Sequence, residues 1–230
     1  KCTLAQLAAQ EPDGNLSASP KDSRLSWDAS ATWALSKDAN LYVRAANGFR
    51  ASSVQGAGPF NAKSVAGPET NTSFEAGFKA DLADRRARLA FSVFHYTVKD
   101  QQLTAVGGAA NANILLNAKK AVGRGFELDL QAILGEHWLA TLGVGYNDTK
   151  IKDPSLAIAT CGSCTVTDRT VTDPVTGNRR AFIDGNPLPQ APKVTTNFTL
   201  KYTVPVGAGE LYAYTDWVYR SKVNFLLYES

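Results

Sequence analysis

Between Lys193 and Val204 the sequence alternates strictly. Even positions carry Val194, Thr196, Phe198, Leu200, Tyr202 and Val204; odd positions carry Lys193, Thr195, Asn197, Thr199, Lys201 and Thr203. A period of two belongs to a β-strand, whose successive side chains point to opposite faces. The rhythm returns along the chain. Trp27, Ala29, Ala31 and Trp33 oppose Asp28, Ser30 and Thr32; Leu41, Val43, Ala45 and Phe49 oppose Tyr42, Arg44 and Arg50. Phe74, Ala76, Phe78, Ala80 and Leu82 oppose Glu75, Gly77, Lys79 and Asp81. Leu89, Phe91 and Val93 oppose Arg88, Ala90 and Ser92, but Phe94 and Tyr96 share the parity of Arg88 and leave the face beyond them undecided. Similar patterns cover 123–134, 138–150 and 210–222, and a partial ninth segment starts near Phe225.

The connections sort by length. Short turns near Asp38, Asp84, Gly135 and Gly207 alternate with longer stretches at Ala51–Pro68, Val106–Asn113 and Ile151–Pro192. An up-and-down outer-membrane β-barrel has short periplasmic turns and longer outer loops, whereas a soluble sandwich has no reason to sort its loops this way. The expected fold is therefore all-β, an antiparallel up-and-down transmembrane β-barrel. The 151–192 stretch holds five of the ten prolines and reads as a long insert without regular structure, of the kind that serves as a functional loop or lid. Trp27, Trp33, Trp138 and Trp217 fall on apolar faces, as interface girdles require. No run of apolar residues is long enough for a membrane-spanning helix. A net charge of +3 gives no argument for a nucleic-acid partner.

The polar faces carry Asp28, Arg44, Glu75, Lys79, Asp81, Arg88, Glu127, Asp129, Lys193, Lys201, Asp216 and Arg220. A small barrel is filled by its own side chains, so this many charges fit a wider lumen better. The eight or nine segments then form an arc of a larger barrel. Methionine is absent, including at position 1, so the chain reads as a piece of a longer protein. Cys161 and Cys164 are spaced for a local disulfide; a redox site would need a βαβ setting and a zinc site further ligands. Cys2 is left without a partner on this count.

Several stretches carry a family resemblance. Leu41-Tyr42-Val43-Arg44-Ala45-Ala46-Asn47-Gly48-Phe49-Arg50-Ala51-Ser52-Ser53 resembles a strand-and-loop signature of TonB-dependent outer-membrane receptors. Pro68-Glu69-Thr70 with Phe74-Glu75-Ala76-Gly77-Phe78-Lys79, Gly123-Arg124-Gly125-Phe126-Glu127, and Gly185-Asn186-Pro187-Leu188-Pro189-Gln190-Ala191-Pro192 resemble later segments of that family, in the same order. The resemblance runs from about Leu25 to Tyr228. It implies a barrel of about 22 strands occluded by a plug. It also implies a scarce ligand bound outside and energy drawn from TonB. Residues 1–230 would then be a partial barrel domain, with plug and TonB-contacting segment elsewhere in a longer chain. Its expected partners are outer-membrane lipid, the plug, TonB and a small molecule such as a ferric siderophore; its expected place is the bacterial outer membrane.

No catalytic constellation or cofactor motif stands out, and His95 and His137 lie in separate segments, so the chain reads as a non-enzyme. A passive porin or small barrel channel, and a receptor for a saccharide, haem or cobalamin, remain alternatives. Loops on a rigid scaffold concentrate binding residues. The expected polar ligand contacts are Arg50, Gln55, Asn61, Asn111, Asn113, Arg169 and Arg180 on the three long connections.

Overall fold

The computed structural model describes residues 18–55, 65–108 and 112–230. In chain order its strands are β1 (Trp27–Ser36), β2 (Ala39–Arg50), β3 (Ser53–Val54), β4 (Val65–Ala66), β5 (Glu69–Leu82), β6 (Ala87–Gly107), β7 (Ala112–Leu134), β8 (Trp138–Ile151), β9 (Ala157–Ala159), β10 (Thr170–Thr172), β11 (Arg179–Phe182), β12 (Val194–Val206) and β13 (Gly209–Arg220). Eight of them form one antiparallel meander in the order β1-β2-β5-β6-β7-β8-β12-β13. β1 and β13 are its two edges and do not pair with each other, so the sheet is an open arc.

The register bears out the two faces. One row across the sheet reads Trp33, Leu41, Phe78, Phe91, Leu128 and Val144; the next reads Ala31, Val43, Ala76, Val93, Phe126, Tyr146 and Val194. Phe198, Leu142 and Trp217 stand in register on this apolar face. On β5, β7 and β8 the apolar stretch runs from the short turn for about nine residues, the length a tilted strand needs to cross hydrocarbon.

The polar face is crowded and internally paired. The Tyr42 hydroxyl donates to the Glu75 carboxylate, and the Lys79 ammonium lies 5.4 Å from the centre of the Tyr42 ring. Arg44 Nε donates to Asp28 Oδ2 at 2.9 Å and Arg88 Nε to Asp81 Oδ1 at 3.1 Å. The register also settles Phe94 and Tyr96. Phe94 stands between Glu75 and Gly125, and Tyr96 between Ser73 and Gly123, so both rings lie on the polar face. Glycine is required beside them: a Cβ on Gly123 would enter the Tyr96 ring, and one on Gly125 would strike the Phe94 ring and the Tyr146 carbonyl.

Four expectations need correcting. β6 runs to Gly107 and β7 begins at Ala112, well before the expected start at Gly123, so both strands take up residues of the expected 106–113 loop. The 151–192 insert is not structureless: β10, β11 and β9 pair into a small antiparallel sheet of their own. No ninth strand forms near Phe225. The chain leaves the sheet at Arg220, and Leu227 and Tyr228 bury themselves with Ile151, Ile158, Ala181 and Ile183 instead. Finally, Lys193 does not face the polar side. It precedes the first ladder residue, and its ammonium reaches Asp148 at 3.2 Å and the Tyr146 ring, both on the apolar-face register.

Candidate functional site

Short turns close one end of the sheet. Positive backbone φ at Ala83, Asp84 and Arg85, and at Gly135 and Gly207, makes three of them tight. All long connections therefore gather at the opposite end.

There the β6–β7 hairpin projects beyond the rest. Asp100, with φ of 54°, interrupts the ladder opposite Lys119, and past it the hairpin serves two neighbours. Gln102 and Asn117, paired in register, hold the 51–67 connection. Gln102 Nε2 donates to the Ala51 and Gly67 carbonyls at 2.7 and 2.9 Å, and its Oε1 accepts from the Ser53 hydroxyl. Asn117 Oδ1 accepts from the Gly67 N–H at 2.7 Å. Leu103, Ala105 and Ala118 turn to the other neighbour and join the core of the loop sheet with Ile151, Ile158, Ala181, Ile183, Leu227 and Tyr228. A sheet this small cannot bury a core alone; borrowing apolar residues from the hairpin and the last segment supplies one.

Polar contacts complete the docking. Asn186 Nδ2 donates to Asp168 Oδ2 at 2.7 Å and to the Leu227 carbonyl at 3.1 Å. Cys161 and Cys164 are joined by a disulfide with a Cα–Cα distance of 5.3 Å, and the Cys161 N–H donates to the Tyr228 hydroxyl at 3.2 Å. Burial works to raise the pKa of the Asp153 carboxyl. It is outweighed by hydrogen bonds from the Lys119 N–H at 3.0 Å and the Ser155 hydroxyl at 2.8 Å, and by the Lys119 ammonium at 3.5 Å, so the group sits below the ordinary carboxylate range. Asp173 is likewise lowered, chiefly by the Thr176 and Val175 N–H groups and further by Arg180.

These contacts redistribute the residues expected to bind ligand. Arg50 ends β2, paired with Glu69, and is exposed. Gln55 ties its loop to β7, donating to the Asn113 carbonyl and accepting from the Leu115 N–H at 2.9 Å. Asn113 is a β7 residue opposite Val106. The Arg169 guanidinium stacks 4.1 Å from the Phe182 ring centre. Arg180 Nη1 pairs with Asp173 at 3.1 Å and Nε donates to the Ala157 carbonyl at 3.1 Å, so it braces the loop sheet. Asn61 and Asn111 lie outside the described residues, as does Cys2. Of the residues that organise this end, Gln102, Asn117 and Asp153 carry no signature in the sequence, and Asn186 lies in the 185–192 motif, which gave it no role. They are single polar residues in stretches whose alternation has already lapsed.

The family model for TonB dependent receptor-like β-barrels matches residues 8–226. No curated protein matches the sequence. Among solved structures, the fold resembles the ferric yersiniabactin uptake receptor FyuA from Yersinia pestis, with a TM-score of 0.62 and 19% identity over 87% of this chain and 26% of that one. It also resembles the siderophore receptor PiuA from Acinetobacter baumannii, with a TM-score of 0.52 and 21% identity over 77% of this chain and 23% of that one. A third likeness is to the copper transporter OprC, with a TM-score of 0.54 and 18% identity over 77% and 24%. The chain thus spans about a quarter of the length of the receptors it matches.

Proposed function

Because the chain belongs to the TonB-dependent receptor β-barrel family, we propose that it forms part of the barrel of an outer-membrane receptor that binds a scarce ligand outside the cell and imports it with energy from TonB. A ferric siderophore is the leading ligand. The observation that carries this reading is the architecture of the long-loop end: an open arc of eight strands bearing a folded, core-containing loop sheet where an outer mouth would be. A rigidly mounted loop domain costs little to order on binding. Arg50, exposed at the end of β2, and Arg169, on the long insert, suit an anionic ligand. In the longer receptor a plug and a TonB-contacting segment would complete the transporter.

The test is uptake of labelled ferric siderophores by the full-length receptor in iron-starved cells. Shortening 152–192 should abolish high-affinity binding while the protein still inserts. Removing TonB should abolish uptake while binding persists. Uptake that survives the loss of TonB would point to a passive channel, and unchanged affinity without the loop would exclude it from ligand capture.

A further inference from the structure

Where the apolar face ends, toward the long loops, its composition changes abruptly. The next row of the register reads Ala29, Ala45, Phe74, His95, Arg124 and Asp148. Lys150 stands one step further on β8, opposite Val122, and Lys99, Lys120 and Lys152 one step beyond that. Asp148 is the sole carboxylate in these rows. It holds Arg124 Nε at 3.5 Å and the Lys193 ammonium at 3.2 Å, which leaves a large excess of positive charge. His95, Arg124, Asp148, Lys150 and Lys152 border one depression of about 250 Å³.

Within this arc the charge is local. At the same level β1, β2 and β5 carry Trp27, Asn47 and Thr72. Beside the cluster, on the same face, lies an apolar groove of about 710 Å³, which small side chains leave open: Ala29, Ala31, Ala45 and Ala76, walled by Phe74 and Val93. His95 borders both. An apolar channel that ends in a cationic pocket is complementary to an acyl chain that ends in a phosphate.

We propose that this face binds a phosphorylated lipid of the outer leaflet, with an acyl chain in the alanine groove and a headgroup phosphate among Arg124, Lys150 and Lys152. The proposal rests on the membrane reading above, since only there does the apolar face meet lipid. Cations near a charged membrane surface each attract anionic headgroups, and a fixed group of them selects a particular one.

The full-length receptor is reconstituted in phosphatidylcholine vesicles containing lipid A in its phosphorylated or its dephosphorylated form. Lipid retained by the purified protein is then counted by native mass spectrometry. Retention should favour the phosphorylated form. The combined variant Arg124→Gln, Lys150→Gln, Lys152→Gln should lose that preference by about a hundredfold, about fivefold per cation. Ala45→Trp, which fills the groove, should weaken retention of both forms. Equal retention of the two forms, or an undiminished preference in the triple variant, overturns the site. Displacement of the lipid by inorganic phosphate would reassign it to a free anion. Insertion is read separately by protease protection: a receptor that fails to insert overturns the membrane reading and the lipid site together.

Discussion

Replacing Leu142 by arginine tests whether the apolar face meets hydrocarbon. Leu142 lies midway along the β8 stretch Trp138–Tyr146, flanked in register by Leu130 on β7 and Phe198 on β12. With a rise of about 3.3 Å per residue and a tilt of about 40°, it sits about 10 Å from either end of that stretch, which spans about 20 Å of an apolar band about 25 Å tall. That is close to the midplane, where arginine on the lipid face costs about 2–4 kcal/mol, against about 0–1 kcal/mol near an interface. Tyr146→Arg should therefore be far milder, although the two sites share one strand and one face. Thr141→Arg supplies the control on the opposite face. Its hydroxyl is 2.6 Å from that of Thr199, so the variant should forfeit a hydrogen bond worth about 1 kcal/mol and little else. Equilibrium folding of the full-length receptor into phosphatidylcholine vesicles, followed against urea by tryptophan emission, ranks the three. Equal losses at 142 and 146, or a larger loss at 141 than at 142, would refute the lipid-facing assignment.

Other consequences are as direct. Gly125→Val should cost about 1–3 kcal/mol through overpacking, since the Tyr146 carbonyl cannot give way, while Gly48→Ala, with open space around it, should stay within about 0.5 kcal/mol in the same assay. Gln102→Ala removes both carbonyl contacts to the 51–67 connection and should speed proteolytic nicking there without changing barrel insertion. The Asp153 carboxyl, lowered in the folded protein, stabilises the loop domain fully above its unfolded value of about 3.9, and this stabilisation is lost as the pH falls through the folded pKa. A carbon NMR titration should place its midpoint below that value, and Asp153→Asn should remove the acid-sensitive step. Mass spectrometry of unreduced peptides should find Cys161 and Cys164 linked; two free thiols in protein taken from outer membranes would contradict this.

The strands and their faces were legible because a period-two pattern is a local property. Phe198 and Lys201 must point to opposite sides of β12 whatever their neighbours do. The sorting of short and long connections was legible for the same reason, since turn residues act over a few positions. The resemblance carried by Gly123-Arg124-Gly125-Phe126-Glu127 named the family, but no motif announced what that stretch does in the fold. Phe94 and Tyr96 looked misplaced among polar residues until the register set them over Gly125 and Gly123, a pairing between strands that no single strand encodes.

Above the apolar band the local rules lapse. Past Asp100 the β6–β7 hairpin packs on two different neighbours, so Leu103, Ala105 and Ala118 follow no alternation that a sequence window could detect. β9, β10 and β11 are too short to show a period, and the burial of Tyr228 depends on Ile151 and Ile183 arriving from distant parts of the chain. The basic cluster follows the same logic. Arg124, Lys150 and Lys152 are ordinary charged residues along the chain, and they become one site when antiparallel pairing sets β7 beside β8. Sequence alone determined the eight long strands, the two faces of their alternating stretches, and the family. Tertiary structure decided which distant residues share a surface, because register is a long-range choice made by whole strands.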